Sequence, residues 1–413
     1  MDKHLYDALI IGGSHAGCEV AFRLRQGGFS GGIGLLSAEF YLPYHRPPLS
    51  KAFLAGEATI NSLFLRSEEA FLKSKIDWFG NILVSSIDRA AHFINVSDGR
   101  RLSYRKLILA TGGRPRTLAV AGANLSGVHM LRTLADAQTL QPEFIPGKHL
   151  VIIGAGYIGL EVAAVAIKHG LTVDIIEFSS RCLARVAGPE LSAFYESMHK
   201  RAGVRFHFNA RVEEFVPAKN NACHVGSVRY TGGQELPADL VLVAAGLVPN
   251  SELAQEAGLT IGNGIVVDEY CCTSDADIFA IGDVAEFPLP FLDGQSVRLE
   301  SVPNAVEHAR IVASVLNGNP STYNVVPWFW SDQYEHKLQS VGLSQGYDEA
   351  IVRLPKNPEG FIVFYLKSGR IIAVDCVSAV AEFNIAKKLV AIKATVEPKI
   401  LANSEIDLKS LIS

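Results

Sequence analysis

Val151-Ile152-Ile153-Gly154-Ala155-Gly156-Tyr157-Ile158-Gly159 is the stretch that decides the fold. A strand-like apolar run leads into three glycines spaced G-x-G-x-x-G, and a helix-like segment follows. Glycines at these positions let the backbone turn sharply, approach a pyrophosphate held on the N–H groups of the helix start, and pack the helix close to the strand. The next apolar run ends at Glu177, at the expected distance of roughly 20 residues. A carboxylate there accepts hydrogen bonds from an adenosine ribose and repels a 2′-phosphate, which favours NADH over NADPH. Arg181 and Arg185 follow it and leave the preference open, because an arginine can take that phosphate.

The same plan occurs earlier in the chain. Ala8-Leu9-Ile10-Ile11-Gly12-Gly13-Ser14-His15-Ala16-Gly17 keeps the outer glycines but has Ser14 in the middle position. Ser37 stands where the acid is expected, and Glu39, two residues on, is either the ribose ligand or a solvated loop charge. Ala110-Thr111-Gly112 ends a later strand and is echoed by Ala245-Gly246. The two units read as internal repeats. Two dinucleotide sites in one chain imply a flavin facing a nicotinamide. The fold class expected is α/β, with two Rossmann-like dinucleotide-binding domains and a C-terminal α+β domain. Residues 1–112 and 247–321 form a discontinuous FAD-binding domain, 113–246 an NAD-binding domain, and 322–413 the third.

Composition sets the limits. With 38 Lys and Arg against 42 Asp and Glu, there is no global basic field for nucleic acid. No apolar run approaches the ~20 residues of a membrane span. The first apolar run passes straight into the glycine turn, so a cytoplasmic protein is expected. The six cysteines form no C-x-x-C and no zinc spacing with histidine, so no metal is expected. Buried reduced thiols are the plain reading, with a strained Cys271–Cys272 disulfide as the alternative.

Between the repeats lies a Pro-rich loop, Leu42-Pro43-Tyr44-His45-Arg46-Pro47-Pro48-Leu49-Ser50-Lys51. With this loop, Ala110–Arg116, Leu131-Arg132-Thr133, the 154–163 run, 278–283 and Pro327-Trp328-Phe329-Trp330-Ser331-Asp332-Gln333, the chain resembles, over nearly its full length, the FAD-dependent ferredoxin–NAD(+) reductases. These serve bacterial Rieske dioxygenases and cytochrome P450 systems, and share their glutathione-reductase-like fold with apoptosis-inducing factor. The resemblance implies FAD contacts at Ala16, Lys51, Val84, Arg132, Asp283 and Val302. Gly12, Gly13, Ser14, His15, Gly17, Glu39, Arg46, Ala110, Thr111, Gly112 and Gly282 complete the expected FAD set. Arg132 suits a diphosphate through its forked donors. Val302-Pro303-Asn304 opens an apparent helix whose N-terminus suits negative charge on the reduced flavin. Gly154, Gly156, Tyr157, Ile158, Gly159, Glu161, Glu177, Arg185, Ala245 and Gly246 are the NAD candidates.

Lys51 and Glu161 are expected to pair near the flavin, and Trp330 to shield its edge. Arg310, Lys337, Lys387 and Trp328 are candidate docking residues for an acidic [2Fe–2S] ferredoxin. Disulfide reductases of this fold carry a redox dithiol near the flavin. The loop 42–51 has no cysteine. The expected function is therefore transfer of electrons from NADH, through FAD, singly to a ferredoxin that feeds an oxygenase. The competing readings are an NADH oxidase or diaphorase and a flavoprotein with a mainly binding role.

Overall fold

A computed structural model describes residues 5–355, 357 and 359–412. The chain divides into two compact units, residues 1–45, 60–114 and 248–325 in one, and residues 46–59, 115–247 and 326–413 in the other.

The first unit is built on parallel strands in the order Ile76–Phe79, Ile33–Leu36, Leu5–Ile11, Arg101–Leu109. The long strand Arg101–Leu109 has two neighbours on its far side. Its start pairs antiparallel with Phe93–Val96, and its end pairs in parallel with Ile278–Ala280. That last strand is supplied by residues that follow the 115–247 stretch of the second unit. Ala8–Ile11 and Ile33–Leu36 are buried, as continuous apolar runs in a parallel sheet must be. Helix His15–Gln26 buries Val20, Ala21 and Leu24. Asn317, at the end of helix Val302–Leu316, reaches the Leu24 carbonyl and ties the two helices together.

The second unit repeats the plan with parallel strands Arg205–His207, Thr172–Ile176, His149–Ile153, Leu240–Val243 and Val128–His129. It also holds a five-stranded antiparallel sheet formed by Trp328–Gln333, His336–Gly342, Arg370–Val377, Phe361–Lys367 and Glu349–Arg353, followed by helix Val380–Ala391. The C-terminal sheet does not stand apart. Its Leu338 and Val377 share one apolar core with Leu150, Ile152, Leu160 and Leu242, and Leu54, three residues past the Pro-rich loop, joins the same core. This shared burial places residues 46–59 with the second unit. All six cysteines, Cys271 and Cys272 included, are unpaired.

A polar tie joins the C-terminal sheet to helix Pro189–Arg201. The Tyr365 hydroxyl donates to Asp375 Oδ2 at 2.8 Å and accepts from the N–H of Gly188, the residue before the helix, at 3.1 Å. Burial pushes the Asp375 carboxyl up to about 6, and the Tyr365 hydrogen bond offsets only part of that. The folded state thus holds this proton to higher pH than an unfolded Asp at about 3.9. Stability from the group is complete below that unfolded value and is lost as pH rises through the folded one. Asp375→Asn keeps the acceptor and removes the ionisation. Urea titrations of the variant and the parent should converge near pH 4, while at pH 7.5 the variant should be more stable by up to about 3 kcal/mol.

Candidate functional site

In the first unit the glycine turn is forced by contact with its neighbouring strand. Gly12 has φ +120°, and a Cβ there would fall on the carbonyl oxygen of Ala110. The Ala110 N–H donates to Ile11 O at 2.8 Å, which fixes that approach. Gly17 lies in the first turn of the helix, and a Cβ on it would strike the Gly12 carbonyl. Gly13 is covered by the Trp78 ring, 2.7 Å from where its Cβ would be. Ser14 precedes the helix in extended conformation and does not cap it with its side chain. His15 and Ala16 are the first helical residues.

Around this turn the first unit gathers several expected residues. Gly282 (φ +74°) sits against Ala16, with 3.0 Å between its would-be Cβ and that of Ala16. Asp283 therefore lies beside the turn, and its carbonyl accepts from Arg298 at 3.0 Å. The Gly282 N–H donates to His308 Nδ1 at 3.1 Å. Burial drives His308 down to about 3, so the ring is neutral and carries its proton on Nε2. It stands perpendicular to the Phe287 ring at 4.4 Å. Thr111 and Gly112 are bound to Asn250 by three hydrogen bonds of 2.7–2.9 Å. The Tyr44 hydroxyl donates to Glu39, and the Glu39 N–H donates to Ser37 at 3.1 Å. Val302 begins a helix capped by Ser301, whose Oγ accepts from the Asn304 N–H at 3.2 Å. Asn304 Oδ1 is buried without a partner among the described residues. Val84 opens the strand Val84–Asp88, paired with Val96.

The second unit holds the same device with all three glycines. A Cβ on Gly154 (φ +108°) would lie 2.5 Å from the Ala244 oxygen, and one on Gly159 would strike the Gly154 oxygen. Gly156 precedes helix Tyr157–Lys168, and its Cβ would meet nothing within 4 Å. A side chain at that place in the second unit would meet no protein atom, which is compatible with a serine, Ser14, at the matching place in the first unit. Glu177 is held rigidly, with Oε2 accepting from the Ala155 N–H and Oε1 from the Ser179 N–H, each at 2.7 Å. A carboxylate offers about four acceptor sites, so two remain for ribose hydroxyls.

Arg181 is engaged within the protein. It donates to Ala187 O, Ser192 Oγ and Ala184 O, at 2.8, 2.5 and 3.2 Å. Arg185 instead reaches Gly246 (φ +100°), 3.5 Å from its would-be Cβ, and the Gly246 carbonyl accepts from Arg116 N–H. Ala245 adjoins it at the mouth of the turn. Ile158 is exposed. The Tyr157 ring packs on Phe329 at 4.6 Å.

Glu161, one turn along this helix, is 2% exposed. Lys51 Nζ lies 2.7 Å from its Oε2, so the ion pair expected from the sequence is present. Two partners not foreseen complete the shell: Ser50 Oγ donates to Oε2 at 2.5 Å and Ser331 Oγ to Oε1 at 2.6 Å. Both serines lie in the motifs quoted above, next to residues that drew attention for their charge or ring, and that adjacency was the available signal. Arg46 donates to the Arg132 carbonyl at 2.7 Å, bringing two expected residues together. Trp330 lies 5.6 Å from Trp328, and Lys387 stands 5.1 Å over the Trp328 ring. Lys337 is opposite Asp332 in the hairpin. Arg310 is engaged within the first unit by Glu307, Ser321 and Thr322.

A family model described as pyridine nucleotide-disulphide oxidoreductase matches residues 6–309, and a second, described as reductase C-terminal, matches residues 328–412. The chain belongs to the pyridine nucleotide-disulphide oxidoreductase family. It is 45% identical over 410 residues to putidaredoxin reductase CamA of Pseudomonas putida, covering 98% of this chain and 97% of that protein. It is 40% identical over 406 residues to the 5,5′-dehydrodivanillate O-demethylase ferredoxin reductase subunit of a Sphingobium species, covering 98% of each. Its structure matches that of the reductase in a covalent putidaredoxin reductase–putidaredoxin complex with a TM-score of 0.94, at 45% identity, over 98% of this chain and 97% of that one. The fold is thus the glutathione-reductase-like one, and the cofactors are FAD and NAD(H).

The residues fit those cofactors. Each turn presents a helix start without a side-chain cap and without an acid in its first turn, beside glycines that no larger residue can replace. Gly12→Ala should lose bound flavin and destabilise the protein by about 3 kcal/mol or more. Ser14→Gly should keep a full complement, read as flavin absorbance per chain after gel filtration.

Proposed function

We propose that this protein is an NADH-dependent ferredoxin reductase, taking two electrons from NADH and passing them singly to a [2Fe–2S] ferredoxin that feeds an oxygenase. The observation that carries this reading is the full-length likeness to reductases named for ferredoxin systems, C-terminal sheet included. Bound FAD supplies the step between two-electron and one-electron chemistry.

The chain's own residues have separable tasks in this reading. Residues 1–112 and 247–321 hold FAD, with the Gly12 turn taking the diphosphate and Asp283, beside it, a ribityl hydroxyl. Residues 113–246 hold NADH, with Glu177 on the ribose. Lys51 and Glu161 form a neutralised pair that orders the site without entering covalent chemistry. Residues 322–413 receive the ferredoxin, with Trp330 at the flavin edge and Trp328 and Lys387 in the docking face. No helix among the described residues is long and apolar enough to cross a membrane. NADH is a cytoplasmic reductant, and we place the reaction there.

NADH-driven reduction of cytochrome c should rise several-fold when a small [2Fe–2S] ferredoxin is added. Equal rates without it would point to a diaphorase or oxidase instead. The coenzyme preference rests on Glu177, because Arg181 is bound internally. Glu177→Ala should lower the ratio of kcat/KM for NADH to that for NADPH by about tenfold or more. An unchanged ratio would remove Glu177 from the nucleotide site.

A further inference from the structure

Ser331, the residue that donates to Glu161 Oε1, is the end of a longer chain of buried polar groups. Gln333 Nε2 lies 3.2 Å from Ser331 Oγ, Gln333 Oε1 lies 2.9 Å from His199 Nε2, and His199 Nδ1 lies 3.1 Å from the Tyr334 hydroxyl. Glu161, Ser331, Gln333 and His199 are each no more than 2% exposed, so water does not compete between Glu161 and His199.

The charge on Glu161 fixes every proton in this chain. A carboxylate only accepts, so Ser331 must donate its single proton to it. Ser331 Oγ must then accept, which turns the amide of Gln333 toward it. The Gln333 carbonyl consequently faces His199, whose Nε2 must carry the proton. Nδ1 is left as acceptor for the Tyr334 hydroxyl. Burial lowers His199 to about 4, so the ring is neutral, as this pattern requires. Titratable groups that interact with Glu161 include Lys51 and the phenols of Tyr157 and Tyr195, both pushed up by burial and therefore uncharged. The amide of Gln333 does not readily pass a proton on, so the chain orients groups rather than conducting.

We propose that Tyr334, His199, Gln333 and Ser331 form a one-way hydrogen-bond relay that holds Glu161 ionised and aimed at Lys51, making Ser331, Gln333 and His199 positioning residues for the reaction with NADH. This rests on the placement of the Lys51–Glu161 pair in that reaction. The relay joins helix Pro189–Arg201, strand Trp328–Gln333 and helix Tyr157–Lys168, so the geometry of the charge pair depends on three elements distant in sequence.

The direction of the relay is tested on FAD-loaded protein labelled with 15N-histidine, the His199 signal being identified by its loss in His199→Gln. The expected result is the Nε2–H tautomer from about pH 5 to about pH 8, and an Nδ1–H tautomer would overturn the relay. Its role is tested by stopped-flow bleaching of the flavin with NADH, ferredoxin omitted. Ser331→Ala should slow the limiting rate about tenfold and move the acid limb of its pH profile upward, with NADH affinity within about twofold. Ser331→Thr should restore both, and Gln333→Leu should change them in the same direction as Ser331→Ala. An unchanged profile, or a uniform fall with the limb unmoved, would overturn the proposal. Glu161→Gln separates the two readings. Wild-type bleaching in that variant removes the charge pair from the reaction and the relay with it, whereas slow bleaching there beside normal Ser331→Ala overturns the relay alone.

Discussion

A carboxylate taken out of water keeps its charge only if donors replace the lost hydration. Glu161 is the place where this chain meets that condition, with an ammonium and two hydroxyls within 2.7 Å. The constraint reaches far because the donors come from separate stretches. Lys51 and Ser50 belong to the Pro-rich loop, and Ser331 to the C-terminal sheet. Truncating any one leaves a buried charge short of a partner, which costs more than the contact itself contributes. The apolar core shared by Leu54, Leu160 and Leu338 brings these stretches within reach, so packing comes first and the charge selects the register.

The two glycine turns obey a different rule, exclusion rather than attraction. In both, the first glycine is defined by the neighbouring strand's carbonyl and the last by the first glycine's own oxygen. The middle position carries no such restriction, and a serine there in the first unit and a glycine in the second are equally compatible with the helix start. The motif is thus two hard positions and one soft one, and the soft one is free to vary between the copies.

Much of this was readable from the residues. The strand–turn–helix order, the return of Ile278–Ala280 to the first sheet and the Lys51–Glu161 pair follow from local pattern or from the resemblance. What the sequence could not supply is contact between parts that each look complete. The C-terminal segment reads as its own domain, because short alternating strands followed by a terminal helix form an α+β pattern. Yet Leu338 and Val377 are buried against the parallel-sheet core. Tyr157 sits inside the glycine motif, and its ring packs on Phe329, a residue of the C-terminal sheet. Arg181 reads as a phosphate ligand, but three local acceptors bind it first. In each case a partner from a remote or irregular stretch, invisible to periodicity, decides where the side chain goes.

The threading of the chain has a consequence for its synthesis. Arg101–Leu109 is a central strand of the first sheet, but the strand that covers its far edge, Ile278–Ala280, emerges from the ribosome much later. Until then the nascent chain carries a row of unpaired, apolar backbone, the kind of edge that recruits other chains. The second unit cannot seal its core either before Leu338 and Val377 appear. The first unit is complete only once residues up to 325 have been made, and the second only near the end of the chain.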